Sequence, residues 1–361
     1  MKEKIVGIFI CFLLIVTIFL PVAETFESNS EIGIGSRCKP ALNPNCVYVP
    51  EDIDLEDAAF HRSYGRYHGE WWYFEGIFNN GFSIVLGVAI CSKDGHGFCL
   101  LGLQTYNNTE VGVRVGKSIP MHEFGASEDF PFIELSGKQF IRLDQERYND
   151  TGEWVYNVSL EIEGQMANLQ FLGITKGWKG EILRGWYGPV LPKATVNGTL
   201  ILNGEQVNVS GLGYHEHAWE IPVPIWEWGW YWGKIVSDSF SLLWIEMMQT
   251  RWNEQQRVAI LSQDQLGYIN INPENIKFKA VEYTFNNRRI IPTKFILNVT
   301  DPDNSIYVNA TMETIYIHHA IGLGISHYWR YLISVNGEIS YGSSTEMIED
   351  EIQIMELMRW R

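Results

Sequence analysis

Residues Gly211-Leu212-Gly213-Tyr214-His215-Glu216-His217-Ala218-Trp219 set one carboxylate between two imidazoles. A carboxyl group held against apolar rings has its ionised form disfavoured, so its pKa rises and it can give up a proton near neutral pH. Glu216 is therefore the candidate acid, with His215 and His217 as its catalytic neighbours. On a regular strand His215, His217 and Trp219 share one face, and Tyr214, Glu216 and Ala218 share the other. The two groups enter one cavity only if the strand bulges. A His-x-His pair supplies two metal ligands, too few for zinc, and no third is evident, so no metal and no cofactor are expected. A hydrogen-bonded structural cluster is the other reading of the same residues.

A second stretch, Trp226-Glu227-Trp228-Gly229-Trp230-Tyr231-Trp232-Gly233-Lys234, alternates tryptophan with other residues. On a strand Trp226, Trp228, Trp230 and Trp232 line up on one face, with Tyr231 behind them. Such a wall suits a long apolar ligand, and its ring faces stabilise a cation by ~0.5–2 kcal/mol per well-placed ring. Packing of the indoles against an opposing sheet is the alternative. A third stretch, His68-Gly69-Glu70-Trp71-Trp72-Tyr73-Phe74-Glu75-Gly76, carries aromatics on both faces, so both faces are expected to be covered. Trp71, Trp72, Tyr73 and Trp219 join the candidate ligand-binding residues. Glu70 and Glu75 fall on opposite faces, which argues against a carboxylate pair from this segment alone. Nucleophile-elbow, Walker, H-E-x-x-H and dinucleotide motifs are absent from the sequence.

The elements that must position these residues read as strands. Short apolar or alternating runs recur between turns: Trp71–Phe78, Asn79-Asn80-Gly81, then Phe82–Ile90, and later Trp154–Ile162, Thr195–Leu202, Trp226–Val236, Phe240–Met248 and Tyr328–Val335. This spacing predicts an all-β chain of sandwiches or barrels, and its length allows a two-domain split near 205–225. Residues 24–56 read as an irregular lead-in. The tail 349–361 shows a 3.6-residue period and is expected to be a terminal helix.

Several features predict export. Residues 1–4 are charged and 5–20 are apolar, followed by Pro21-Val22-Ala23. Residues 1–23 thus read as a hydrophobic helix that serves as a signal peptide or a membrane anchor. Sequons begin at Asn107, Asn149, Asn157, Asn197, Asn208, Asn298 and Asn309, as on a glycosylated surface. Cys38, Cys46, Cys91 and Cys99 suit disulfides, with three connectivities open. Cys91 and Cys99 could face each other across a hairpin. An extracellular or cell-surface location follows, with membrane contact through 5–23 if the segment is uncleaved. The net charge of −16 makes nucleic acid a poor partner. Hydrophobic residues at 46% provide for a sizeable core.

Taken together, the motifs resemble those of the AttH-like and carotenoid 1,2-hydratase (hydroxyneurosporene synthase) family. His68–Gly76 resembles its opening motif. Gly211–Trp219 followed by Trp230-Tyr231-Trp232-Gly233-Lys234 resembles its central pair. Tyr341-Gly342-Ser343-Ser344-Thr345-Glu346 is similar to its closing motif. The sequence departs from the family pattern at Glu216, where Asp is commoner, and at Glu220, where Gly is usual. The resemblance implies two lipocalin-like β-barrel or sandwich domains in tandem, at 57–210 and 211–348. It further implies an apolar lipid or isoprenoid ligand and, in hydratase members, addition of water to an alkene without a cofactor. Carried over, His215, Glu216 and Trp219 form the polar cluster and Trp230 to Trp232 the cavity wall. A non-catalytic lipid carrier and a carbohydrate-binding protein are the competing expectations.

Overall fold

The protein is described here from a computed structural model, which covers residues 48–62, 67–93, 96–107, 110–182, 185–221, 228–249, 254–264, 266–322 and 326–360. The hydrophobic segment 1–23, Cys38, Cys46 and Trp226 lie outside these residues, as does the side chain of Trp228.

The described residues form two antiparallel sheets. The first comprises β1 (Glu51–Asp52), β2 (Tyr67–Phe78), β3 (Phe82–Lys93), β4 (His96–Asn107), β5 (Glu110–Pro120), β6 (Phe124–Ala126) and β7 (Phe132–Leu135). It continues with β8 (Lys138–Leu143), β9 (Val155–Ile162), β10 (Gln165–Gly173), β11 (Trp178–Ile182), β12 (Gly185–Leu202) and β13 (Glu205–Trp219). The second comprises β14 (Trp228–Val236), β15 (Phe240–Gln249), β16 (Glu254–Gln263), β17 (Gly267–Asn270) and β18 (Ile276–Asn286). Strands β19 (Arg289–Asp301), β20 (Ile306–Gly322), β21 (Ser326–Tyr341) and β22 (Ser344–Trp360) complete it. Two short helices, α1 (Leu55–Ala58) and α2 (Gln145–Thr151), belong with the first sheet's segment of the chain.

In the first sheet the strands run β5-β4-β3-β2-β13-β12-β10-β9-β8-β7-β6, with β11 on β12 and β1 on β11. The sheet curls until β4 and β5 approach β9, giving a nearly closed barrel. The second sheet runs β17-β16-β15-β14-β22-β21-β20-β19-β18. The all-β, lipocalin-like reading of the sequence thus holds.

Side-chain alternation sorts the apolar residues into three cores. One belongs to the first sheet, with Ile53 and Ala58 of α1 and its approach, and includes Trp72, Phe74, Leu86 and Phe171. Another belongs wholly to the second and includes Trp244, Phe295, Trp329 and Leu357. The third draws on both sheets: Tyr73, Tyr187 and Tyr214 from the first meet Trp230, Trp232, Ile245 and Tyr328 from the second. Strands at the junction therefore bury both faces, as the aromatics on both sides of His68–Gly76 require.

Three expectations are corrected. The tail is strand β22, not a helix. Its run Ile352-Gln353-Ile354-Met355-Glu356-Leu357-Met358 satisfies a helical period and a strand with two buried faces equally well. Pairing with β14 and β21 decides between them. Residues 211–219 continue β13, which pairs β2 and β12, so the change of sheet comes after Trp219 rather than at 211. The hairpin of β3 and β4 exists, but Cys91 pairs with Phe98 and Cys99 with Ile90. That register turns the two cysteines to opposite faces, so they do not face each other. None of the sequon asparagines is buried.

Close approach at the β2–β13 crossing requires glycine at 213. A Cβ there would lie 2.7 Å from the Phe171 ring and 3.2 Å from the Glu75 carbonyl oxygen. Gly213→Ala should lower the unfolding free energy by about 1–3 kcal/mol. The check is a shift of the urea midpoint at constant slope; an unmoved midpoint would mean that the Phe171 ring yields freely.

Candidate functional site

Strand β13 carries its reactive residues on two faces, as the alternation predicts. The register Tyr73↔Glu216 and Trp72↔His217 divides β2 in the same way. No bulge joins the two groups along this stretch of β2 and β13.

Glu216 lies in the layer between the sheets, with Tyr214 on its own strand and Tyr187 on β12. The Tyr187 and Tyr214 hydroxyls donate to Oε2 at 2.5 and 2.6 Å, and the Trp71 indole donates to Oε1 at 3.4 Å. Trp232 of the second sheet donates from Nε1 to the Tyr187 oxygen at 2.7 Å. The carboxyl group is surrounded by neutral donors, and none of these contacts is to a cation. Burial pushes its pKa up to about 7, against the lowering effect of the two tyrosine hydrogen bonds. Burial and the nearby carboxylate also raise both tyrosines, so they stay protonated and remain donors. With Oε2 occupied by two hydroxyls, Oε1 is the oxygen available to carry and transfer a proton.

Two ion-paired groups continue the layer. Lys234 of β14 donates to Glu75 of β2 and, at 3.3 Å, to Gln353 of β22. Burial raises the Glu75 pKa, with Lys234 opposing it. Arg330 of β21 is fully buried and donates to Glu356 at 2.9 Å, to Gln104 of β4 at 3.0 Å and to Tyr328 at 2.9 Å. A cleft of ≈ 230 Å³ opens between the sheets beside the first of these pairs. Glu75, Phe78, Leu212, Lys234, Ile352 and Gln353 are among its lining residues.

The other face of β13 enters the first barrel. His215 stacks on Phe74 with ring centroids 3.8 Å apart, and its Nδ1 meets the Tyr73 carbonyl oxygen at 2.9 Å. Its Nε2 is buried without a hydrogen-bond partner, and burial lowers its pKa to about 3. His217 stacks on Trp72 and Trp219 and reaches the Glu70 Oε1 at 2.8 Å through Nε2. His68 meets the other Glu70 oxygen at 2.8 Å, and His61 Nδ1 lies 3.4 Å from Oε1. Burial holds the Glu70 pKa well above and that of His217 well below their ordinary values.

The predicted site residues therefore separate. Glu216, Trp71, Tyr73, Trp230 and Trp232 share the layer between the sheets. His215, His217, Trp72 and Trp219 occupy the first barrel and cannot serve Glu216 directly. Tyr231 packs on Phe278 and Phe295 in the second sheet's own core. Trp230 and Trp232 are packed against the opposing sheet, with Trp232 edge-on to Tyr73 at 6.0 Å, and do not line the described cleft. Tyr214 was legible as a partner of Glu216 from the two-residue spacing. Tyr187, Lys234, Arg330 and Glu356 needed the strand register to be found, and the Glu70–His61 contact needed the path of the segment before β2.

No family model matches the chain, and no curated protein matches it. Solved structures do match in fold. The Nitrosomonas europaea protein designated AttH (NE1406) superposes with a TM-score of 0.59 at 11% identity, over 82% of this chain and 93% of that one. Kievitone hydratase from Nectria haematococca gives 0.53 at 12% identity, over 81% and 88%. CghA in complex with Sch210972 gives 0.55 at 7% identity, over 82% and 89%. The resemblance read from the motifs is thus matched at the level of the fold.

Two stability measurements test this description. Arg330→Met should cost about 3–5 kcal/mol, because it strands Glu356, whereas Arg330→Met with Glu356→Leu should recover most of that loss; chemical denaturation of both variants checks it. For Glu216, the folded pKa of about 7 lies above the unconstrained 4.5. Its contribution is therefore fully present below pH 4.5 and lost as pH rises through 7. Between pH 4 and pH 8 the native protein should lose about 3 kcal/mol relative to Glu216→Gln. Parallel stability–pH curves for the two proteins would refute the assignment.

Proposed function

We propose that the protein binds an apolar small molecule, of lipid or isoprenoid type, between its two sheets and that Glu216 acts on it as a general acid. The observation that carries this reading is the Glu216 environment: a buried carboxyl group, hydrogen-bonded only by neutral donors among the contacts described, and protonatable near neutrality. Such a group exchanges its proton near neutral pH and tolerates the anion because two hydroxyls stand ready to stabilise it.

The chemistry is hydration or isomerisation of an alkene. Proton transfer from Oε1 to one alkene carbon leaves a carbocation on the other. Indole and phenol faces, Trp232 and Tyr73 among them, stabilise that cation. In hydration a water oxygen bonds to the cationic carbon and its surplus proton returns to Glu216, so one water is added and the carboxyl group is restored. In isomerisation Glu216 takes a neighbouring proton instead. Neither path needs a cofactor. The hydratase among the fold neighbours lends support to this class of chemistry. Burial of Trp230 and Trp232 between sheets speaks against a sugar-stacking platform.

The test begins with the full-length protein purified in mild detergent, its bound lipid extracted and identified by mass spectrometry. Incubated with that compound in 18O-labelled water, the native protein should yield a hydrated or isomerised product. Glu216→Gln should keep the ligand and lose conversion by ~10²–10⁴-fold. Unimpaired conversion by Glu216→Gln would remove the mechanism, and a retained ligand that the native protein never converts would leave a carrier.

A further inference from the structure

On the barrel side of β13, the structure assigns a divalent-cation site, of the kind that takes zinc, to His61 Nδ1, the Glu70 carboxylate and His217 Nε2. These three ligand atoms lie within 4.8 Å of one another, and they come from three separate parts of the chain. Two imidazoles and a carboxylate form a three-ligand zinc set that keeps one position open. The site goes beyond the Glu216 reading and is independent of it, because it sits on the opposite face of the same strand.

The hydrogen bonds around Glu70 leave room for a cation to take the place of a carboxyl proton. The His217 Nδ1 lies 2.8 Å from the Asp57 carbonyl oxygen. A carbonyl only accepts, so Nδ1 carries the ring hydrogen and a neutral His217 presents a lone pair at Nε2. That lone pair faces Glu70 Oε1 at 2.8 Å, an oxygen that already accepts the His61 backbone N–H at 3.0 Å. Two acceptors at this separation need either a proton on Glu70 or a cation between them.

The surroundings match those of a metal ligand set. Ligating histidines donate their second ring N–H to a carbonyl or carboxylate, and ligating carboxylates are themselves hydrogen-bonded. Here the Asp57 carbonyl orients His217, and His68 holds the second Glu70 oxygen at 2.8 Å. The Asp57 carbonyl is fixed in turn by helix α1, a single turn closed by a reciprocal capping box between Asp54 and Asp57. Stacked rings of Trp72 and Trp219 wall the imidazole of His217. The His61 side chain is 23% exposed and marks the route of entry. A bound ion would fasten helix α1 and the segment after it, which supply Asp57 and His61, to β2 and β13.

Cobalt(II) is the probe. Full-length protein treated with chelator and titrated with Co²⁺ should take up one equivalent, with visible absorption of a nitrogen- and oxygen-ligated centre that Zn²⁺ displaces. Glu70→Gln and His217→Gln should abolish the signal. His61→Gln, altered at the rim where the fold is least exposed to damage, should weaken binding at least ~10-fold. His319→Gln, which alters the separate His319–His327 pair, should bind as the native protein does. Absence of uptake would mean that a proton on Glu70 fills the site, and uptake surviving in His217→Gln, or showing thiolate charge-transfer bands, would place the ion elsewhere; each overturns the assignment.

Discussion

Strand β13 buries both of its faces, and the two-residue alternation of its side chains governs what the molecule can do. One face serves the barrel and the other serves the contact with the second sheet. The same holds for β2, β14, β21 and β22, which together form the junction. A slip of one residue in any of these strands would exchange ionisable groups for apolar ones throughout. Register is therefore strongly specified here.

The junction is unusually polar for a buried layer. Glu75 with Lys234, Arg330 with Glu356, and Glu216 with its tyrosines all lie between the sheets. The two ion pairs match charge with charge, the condition under which a buried ion is tolerated at all, and Glu216 is met by neutral donors instead. Further contacts fasten the rim. Lys193 of β12 reaches Asp264 and the Asp238 carbonyl, and Tyr268 of β17 donates to Asp52 of β1. The two sheets are consequently held in one orientation by directional contacts as well as by apolar area.

Environment, rather than residue type, separates Glu216 of β13 from Glu70 of the neighbouring β2. Glu216 sees phenol and indole donors and retains a proton that it can lend. Glu70 sees two imidazoles at 2.8 Å, and the hydrogen of one, His217, is set by the Asp57 carbonyl. The first arrangement suits proton transfer to an apolar molecule, and the second suits a shared cation. One strand supports both because its faces open into different interiors.

The sequence by itself determined the β class, the two-sided burial of His68–Gly76, the separation of Glu216 from His215 and His217, and the opposition of Glu70 and Glu75. All of these follow from the strand period, a local property that needs no knowledge of neighbours. The tail shows where local reading ends: Glu349–Trp360 fits two periods, and only pairing with β14 and β21 makes it a strand. Partners in space were likewise beyond reach. His217 finds Glu70 at a separation of 147 residues, and Arg330 finds Gln104 at 226. Such meetings depend on strand order and register across two sheets, which are set by the packing of the whole chain, and the tertiary structure alone decided them.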